Sequence, residues 1–283
     1  MSKINKYACL SKIGSGRFGI IYKGIHEKTN KYVAIKMEPL ANIQSLKHET
    51  MMLNYLYSKS CENVPIIHWF GIFNELQCLV MPYYECSLYD FAKNIDRHTM
   101  DVETIIRSLM RVLQSVHSTG VIHRDIKPQN FMLKNNTFIL IDFGMATFYV
   151  DKNYKVIPEN PILKEHLLGT LKYISYYVQI GKQYARRDDI ISIGYIYMWL
   201  KGALFWNTRL VDFPTRLTPG NFDYELSETH IRHPKNQYIQ TQKTLENIKK
   251  HFHNNGISES RLIAFLEYAY SISFDEAPKY SCL

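Results

Sequence analysis

The hydrophobic repeat changes period near residue 80, and that change limits what the chain can fold into. Before it, "KYACLSKIG", "FGIIYKGIH", "KYVAIKME" and "LQCLVM" are short runs rich in β-branched and aromatic residues, the pattern of strands. A single helical pattern interrupts them at 42–58, where Leu46, Leu53 and Leu56 share one face. After it, Val102, Ile105, Ile106, Leu109, Leu113 and Val116 form the apolar stripe of an amphipathic helix within 100–118. "RRDDIISIGYIYMWLKG" is apolar nearly all round and predicts a central buried helix, and two further helices are expected near 241–253 and 258–271. Segment 207–240, rich in Pro, Asn and Thr and without periodicity, reads as a long loop. The expected class is therefore α+β: a small antiparallel-sheet lobe with one helix (about 1–81), a hinge at about 82–86, and a larger, mainly helical lobe at about 87–283.

Composition narrows the function classes. At 283 residues, with 46% apolar and 21% charged residues, the chain can bury a sizeable core and is neither disordered nor fibrous. Its formal charge of +8 favours anionic partners. No run of basic residues forms a nucleic-acid-binding tail, so no specific nucleic-acid binding is expected. The five cysteines are scattered and include no C-x-x-C, which argues against a disulfide framework or a zinc site and fits a reducing compartment. "MSKINKYACL" lacks the apolar stretch of a signal peptide, and "IISIGYIYMWL" is too short to span a bilayer. The expectation is a soluble intracellular protein, cytoplasmic or nuclear, without membrane partners. No motif predicts an oligomer, so a monomer is expected.

Several short stretches carry chemistry. In "KIGSGRFGIIYKG", Gly14, Gly16 and Gly19 would let a strand–loop–strand backbone lie close over a polyphosphate with its N–H groups turned toward it. The same spacing also suits a plain hairpin. A dinucleotide-binding fold would need a helix directly after the glycines, where "FGIIYKGIH" is strand-like. In "VAIK", alternation places Ala34 and Lys36 on one face, small enough at Ala34 for a flat ligand and long enough at Lys36 to reach phosphate. Glu49 falls on the apolar face of the 42–58 helix, where an ionised carboxylate needs a cation. Lys36 is the nearest candidate, although Glu49 at the edge of its stripe could also reach solvent.

"VIHRDIKPQNFMLKNNTFILIDFG" contains two apolar segments that each break off at an acid. Asp125 follows the first in a loop that also carries Lys127 and Asn130, and Asp142 ends the second. The Asp142 carboxylate and the Asn130 amide oxygen are hard ligands suited to Mg²⁺, with phosphate oxygens completing its shell. Asp125 would remain to orient an attacking hydroxyl and accept its proton, while Lys127 would neutralise charge on the transferring phosphoryl group. His123 and Arg124 suit a role in holding the loop. Either acid alone could mark only a polar turn or a strand end. The ordered set of glycine loop, Lys36, Glu49, Asp125, Asn130 and Asp142 is hard to reconcile with that.

Taken together, these motifs resemble the signature set of the protein-kinase superfamily, and more narrowly the casein kinase I family. "KIGSGRFGIIY" is similar to that family's glycine loop and "VPIIHWFGIFNELQCLVM" to its fourth and fifth strands. "LLGTLKYISYYVQIGKQYARRDDIISIGYI" resembles its activation segment and central helix, and "SISFDEAPKY" its C-terminal motif. The resemblance runs from about residue 7 to 283. It implies a two-lobed Ser/Thr protein kinase using ATP and Mg²⁺, with no obligatory activation-loop phosphorylation. It also implies that Met81 is the gatekeeper, that residues 82–84 form the hinge, and that the Pro82 carbonyl and the Tyr84 carbonyl and N–H meet adenine. Ile13 and Ile21 would sandwich the ring with Ala34 and Leu133. Thr170 resembles the residue that braces the catalytic Asp, and Asp189 the buried acid beneath the catalytic loop. The family's preference for acidic or already phosphorylated protein substrates would fall to Lys172, Arg186 and Arg187.

The sequence departs from the family pattern in three places. "SYY" puts Tyr177 where the family has asparagine, the 207–240 segment is longer, and "YSCL" ends the chain where relatives continue into another helix. None of these removes a residue needed for phosphoryl transfer.

Overall fold

A computed structural model describes residues 3–16, 19–40, 45–96, 99–160, 169–206 and 234–282. Its elements in chain order begin with β1 (Lys3–Ile4), β2 (Tyr7–Gly16), β3 (Gly19–His26), β4 (Tyr32–Pro39), α1 (Ser45–Ser58), β5 (Trp69–Phe73), β6 (Leu76–Pro82), β7 (Cys86–Ser87) and α2 (Leu88–Asn94). There follow α3 (Val102–Ser118), β8 (Val121–Ile122), β9 (Phe131–Lys134), β10 (Thr137–Leu140), β11 (Thr147–Phe148), α4 (Tyr176–Gln179), α5 (Arg186–Leu200), α6 (Pro234–Gln242), α7 (Leu245–Asn254) and α8 (Ser260–Ser271). The chain divides into two compact units, Met1–Phe91 with Gln129–Ala146, and Ala92–Pro128 with Thr147–Leu283.

The first unit is built on an antiparallel sheet of order β1-β2-β3-β4-β6-β5. Alternation along β4 buries Val33, Ile35 and Met37 with Ile4, Tyr7, Cys9, Cys78 and Val80 on one face. On the other face α1 buries Leu46, Met52, Leu53 and Leu56, so the apolar positions at helical spacing do form its inner stripe. A smaller sheet, β10-β9-β7, completes the unit.

The second unit is mainly helical. Asp101 caps α3 by accepting the Thr104 N–H at 3.0 Å, and of the expected stripe Val102, Ile106, Leu109, Leu113 and Val116 are buried while Ile105 is only half-buried. In α5, 13 of 15 residues are buried, as an all-round apolar helix requires. Among the described residues no helix is long and apolar enough to cross a membrane.

Two boundaries differ from expectation. Residues 234–240, read as part of a loop, begin α6. Its sequence, "PKNQYIQTQ", has a proline suited to the first helical turn but buries only Ile239 among its described side chains, too little for a visible stripe. The rest of that segment, 207–233, and residues 42–44 lie outside the described residues. The strand before Asp142 ends at Leu140, and Asp142 itself adopts a left-handed conformation with φ of 67°.

Candidate functional site

The candidate residues fall into two sets, one in each unit. In the first unit, the alternation that buries Val33 and Ile35 turns Ala34, Lys36 and Glu38 to the face carrying α1. Lys36 Nζ donates to Glu49 Oε2 at 2.7 Å and to Asp142 Oδ1 at 3.0 Å. Glu49 also accepts the Phe143 N–H. Lys36 and Glu49 are nearly closed to solvent, at 8% and 1% exposure. Burial alone would push the Lys36 ammonium down, but the two carboxylates outweigh it and hold the ammonium above the usual lysine range. This placement resolves the two options for Glu49: it is a buried ion-pair partner. His48, one position earlier in α1, bonds through Nε2 to the Ala146 carbonyl at 2.8 Å, so α1 grips the segment carrying Asp142 at two points.

Strand register groups the residues expected around a nucleotide. Gly14 pairs with Ile21, Ile21 with Lys36, Ala34 with Met81, and Val33 with Pro82. Gly16 pairs with Gly19, whose φ is 136°, and a Cβ there would lie 2.0 Å from the Met37 carbonyl, so only glycine fits. Ile13 is 45% exposed, Ile21 and Ala34 are partly open, and Met81 is buried. Tyr84 is partly buried, which raises its phenol to about 12. Leu133, in β9, pairs with Cys86.

Asn130 and Asp142 flank the β9–β10 hairpin, and the Ile141 N–H donates to the Asn130 carbonyl at 2.9 Å. A carboxylate and an amide fit a hard divalent cation. Among the described residues there is no cluster of three or more His, Cys, Asp or Glu that could hold a metal ion.

In the second unit, Asp125 is 6% exposed and both its oxygens are engaged: Lys127 Nζ donates to Oδ2 at 2.6 Å and Thr170 Oγ1 to Oδ1 at 2.7 Å. Lys127 Nζ also reaches Thr170 Oγ1 at 3.2 Å. The loop is held from below by Asp189, which accepts the His123 and Arg124 N–H groups at 2.8 and 3.0 Å and His117 Nε2–H at 2.9 Å. Burial alone would raise the Asp189 carboxyl, but these donors hold it below the usual range. Arg124 takes a φ of 69°, and the next residue donates its N–H to His123 Nδ1. Gly169, at φ 101°, passes so close to this loop that a Cβ would meet the Arg124 carbonyl at 2.7 Å.

The three basic residues considered for substrate anions have separate surroundings. Lys172 Nζ lies over the Tyr173 ring at 5.5 Å. Arg186 stacks on Tyr149 and donates to the Asp275 carbonyl at 2.6 Å. Arg187 is 5% exposed, with its guanidinium 4.3 Å from the Tyr177 ring centroid and 5.8 Å from that of Phe274, so it faces rings rather than open solvent. Tyr177 is anchored further by donating its hydroxyl to the Tyr270 carbonyl at 2.8 Å.

Sequence reasoning missed two residues. His117 follows Val116 on the buried side of α3 and carries no motif. Glu38 lies two residues beyond Lys36 on the same strand face, and that alternation was the available signal. It is fully buried and accepts the Leu46 N–H at 3.1 Å, and burial lifts its carboxyl to about 7.

A buried lysine paired to a helix glutamate, an acid after a short strand, and an aspartate braced by lysine and threonine are the parts phosphoryl transfer calls for. A family model described as protein kinase domain matches residues 7–257. The chain belongs to the protein kinase domain family.

Proposed function

We propose that the protein is a Ser/Thr protein kinase, similar to casein kinase I, that transfers the γ-phosphate of Mg-ATP to hydroxyls of acidic or already phosphorylated proteins. The observation that carries this reading is the closed set Asp125–Lys127–Thr170. A carboxylate whose two oxygens are held by a lysine and a threonine is fixed in direction, which is what orienting a flexible alkyl hydroxyl demands. ATP supplies the phosphoryl group when bound, and Mg²⁺ neutralises the charge of its phosphates.

The chain's own residues divide the remaining work. Lys36, kept charged by Glu49 and Asp142, binds phosphate oxygens. Asn130 and Asp142 would hold the metal. Asp125 receives the hydroxyl proton, and Lys127 balances charge on the transferring group. Met81, Pro82, Tyr84, Ile13, Ile21, Ala34 and Leu133 receive the adenine. The preference for acidic substrates draws support from the +8 charge and from Lys172. The protein acts as a monomer inside the cell, in cytoplasm or nucleus.

The test is transfer of label from γ-labelled Mg-ATP to an acidic and a basic Ser/Thr protein, with Asp142→Asn in parallel. Label on serine or threonine of the acidic protein, lost in the variant, is the expected result. Mg-ATP binding without transfer to either protein would overturn the proposal.

A further inference from the structure

The segment after Thr170 presents four successive backbone carbonyls, and each is taken by a side chain from elsewhere in the second unit. Lys243 Nζ donates to the carbonyls of Leu171 and Ile174, both at 2.7 Å. Trp206 Nε1 donates to that of Lys172 at 3.0 Å, and Ser192 Oγ to that of Tyr173 at 2.7 Å. The segment's own N–H groups close back on Thr170, whose carbonyl accepts from Tyr173 at 2.7 Å and Ile174 at 3.0 Å. Lys243 therefore supplies two of the four outside donors.

Its position is unusual for a lysine. Lys243 has 0% exposure and lies at the junction of α6 and α7, with its Nζ 5.1 Å from the Tyr195 ring centroid and 5.6 Å from that of Trp206. Among the described residues no carboxylate pairs with it. A buried amine in apolar and aromatic surroundings is costly unless its hydrogens are used, and here both carbonyls use them while the rings face it. Burial pushes the amine well below the usual lysine range. The lysine's backbone is fixed in turn, because Tyr270 donates its hydroxyl to the Lys243 carbonyl at 2.6 Å and bonds to the Tyr195 hydroxyl at 2.6 Å.

We infer that Lys243 is a positioning residue for phosphotransfer, tying down the turn at 170–174 so that Thr170 Oγ1 stays on Asp125 and Lys127. It touches neither nucleotide nor substrate, and the inference rests on the kinase reading given above. The chain of contacts is Lys243 to Leu171 and Ile174, then to the Thr170 carbonyl, then from the Thr170 hydroxyl to Asp125. Small displacements of a catalytic group cost about 10²-fold in rate, so slack at the far end of this chain should be visible in turnover.

The experiment compares wild type with Lys243→Met, which keeps the stem and removes the donors, using the full chain. Two readouts are taken: steady-state phosphotransfer and hydrogen exchange over residues 169–177. The expected result is a kcat lower by about tenfold or more with the KM for ATP within about twofold. Exchange at the Tyr173 and Ile174 amides should rise by a similar factor while β4 and α1 stay as protected as before. Lys243→Arg, which restores donors, should recover part of both. Unchanged exchange, or unchanged kcat, overturns the inference. If Lys243→Met does not fold, Lys243→Gln, with one donating amide on a shorter stem, is judged by the same criteria. A wild type that transfers no phosphate, beside a Lys243→Met variant whose segment loosens, would overturn the enzymatic reading and uphold the clamp.

Discussion

Thr170 and Asp125 stand 45 residues apart in sequence and share a 2.7 Å hydrogen bond, with the threonine hydroxyl donating to the carboxylate. The bond leaves Asp125 a single orientation, because Lys127 holds its other oxygen. Replacing Asp125 with Asn should lower kcat by about 10²–10⁴-fold, the range for loss of a general base. Thr170→Val should cost about 10²-fold through misdirection of Asp125. Both should leave nucleotide affinity near wild type, because neither residue belongs to the unit that carries Lys36. Steady-state kinetics with direct nucleotide titration would check this, and a loss of affinity in either variant would contradict the division of labour.

Lys36→Met should do more than weaken ATP binding. It strands Glu49 at 1% exposure with its cation gone, a change that costs about 3–5 kcal/mol where buried pairs have been broken. Adding Glu49→Leu should return much of that stability while activity stays absent. A double-mutant cycle by chemical denaturation reads the coupling directly. Simple additivity of the two changes would show that the pair contributes little.

Glu38 predicts a pH effect of definite sign. Its carboxyl, ordinarily near 4.5, is raised to about 7 by burial. A raised acid contributes stability that is full below its unfolded value and is lost as pH climbs through its folded value. Wild type should therefore lose stability between about pH 4.5 and 7, by about 1.4 kcal/mol per pH unit at most. Glu38→Gln, whose amide oxygen can still accept the Leu46 N–H, should lack that slope and gain on wild type as pH rises. Parallel denaturation curves at pH 5.5 and 8 suffice, and a constant difference would place Glu38 in the ordinary range.

Gly169→Ala combines a φ of 101° with a Cβ 2.7 Å from the Arg124 carbonyl and 2.8 Å from Ile174 Cγ2. Strain of this kind costs about 1–3 kcal/mol. The backbone must shift beside Thr170, so activity should fall further than the melting temperature suggests. Thermal unfolding and kcat measured on one preparation would show whether the two losses separate.

Much of the first unit could be read from residue order because its chemistry is local. Strand alternation gave the shared face of Ala34 and Lys36, and helical spacing put Glu49 on the buried side of α1. The carbonyls captured by Lys243 could not be read this way. The lysine lies about 70 residues from its partners, in a polar stretch where neither period is visible. Thr170 was legible only through family resemblance, since nothing in "GTLKY" indicates a carboxylate 45 residues earlier. The strand expected to end at Asp142 stops at Leu140, because an acid at a strand end does not announce a φ of 67°.

The return of Gln129–Ala146 to the first unit has a bearing on how the chain is made. The β7 strand finds its partner in β9, so that small sheet cannot close until synthesis has passed residue 140. The growing chain lays down 92–128, the start of the helical unit, before the sheet unit is whole. No single cut then yields either unit intact. A fragment ending at residue 91 would leave the ribosome without Asp142, and Lys36 and Glu49 would lose their third partner.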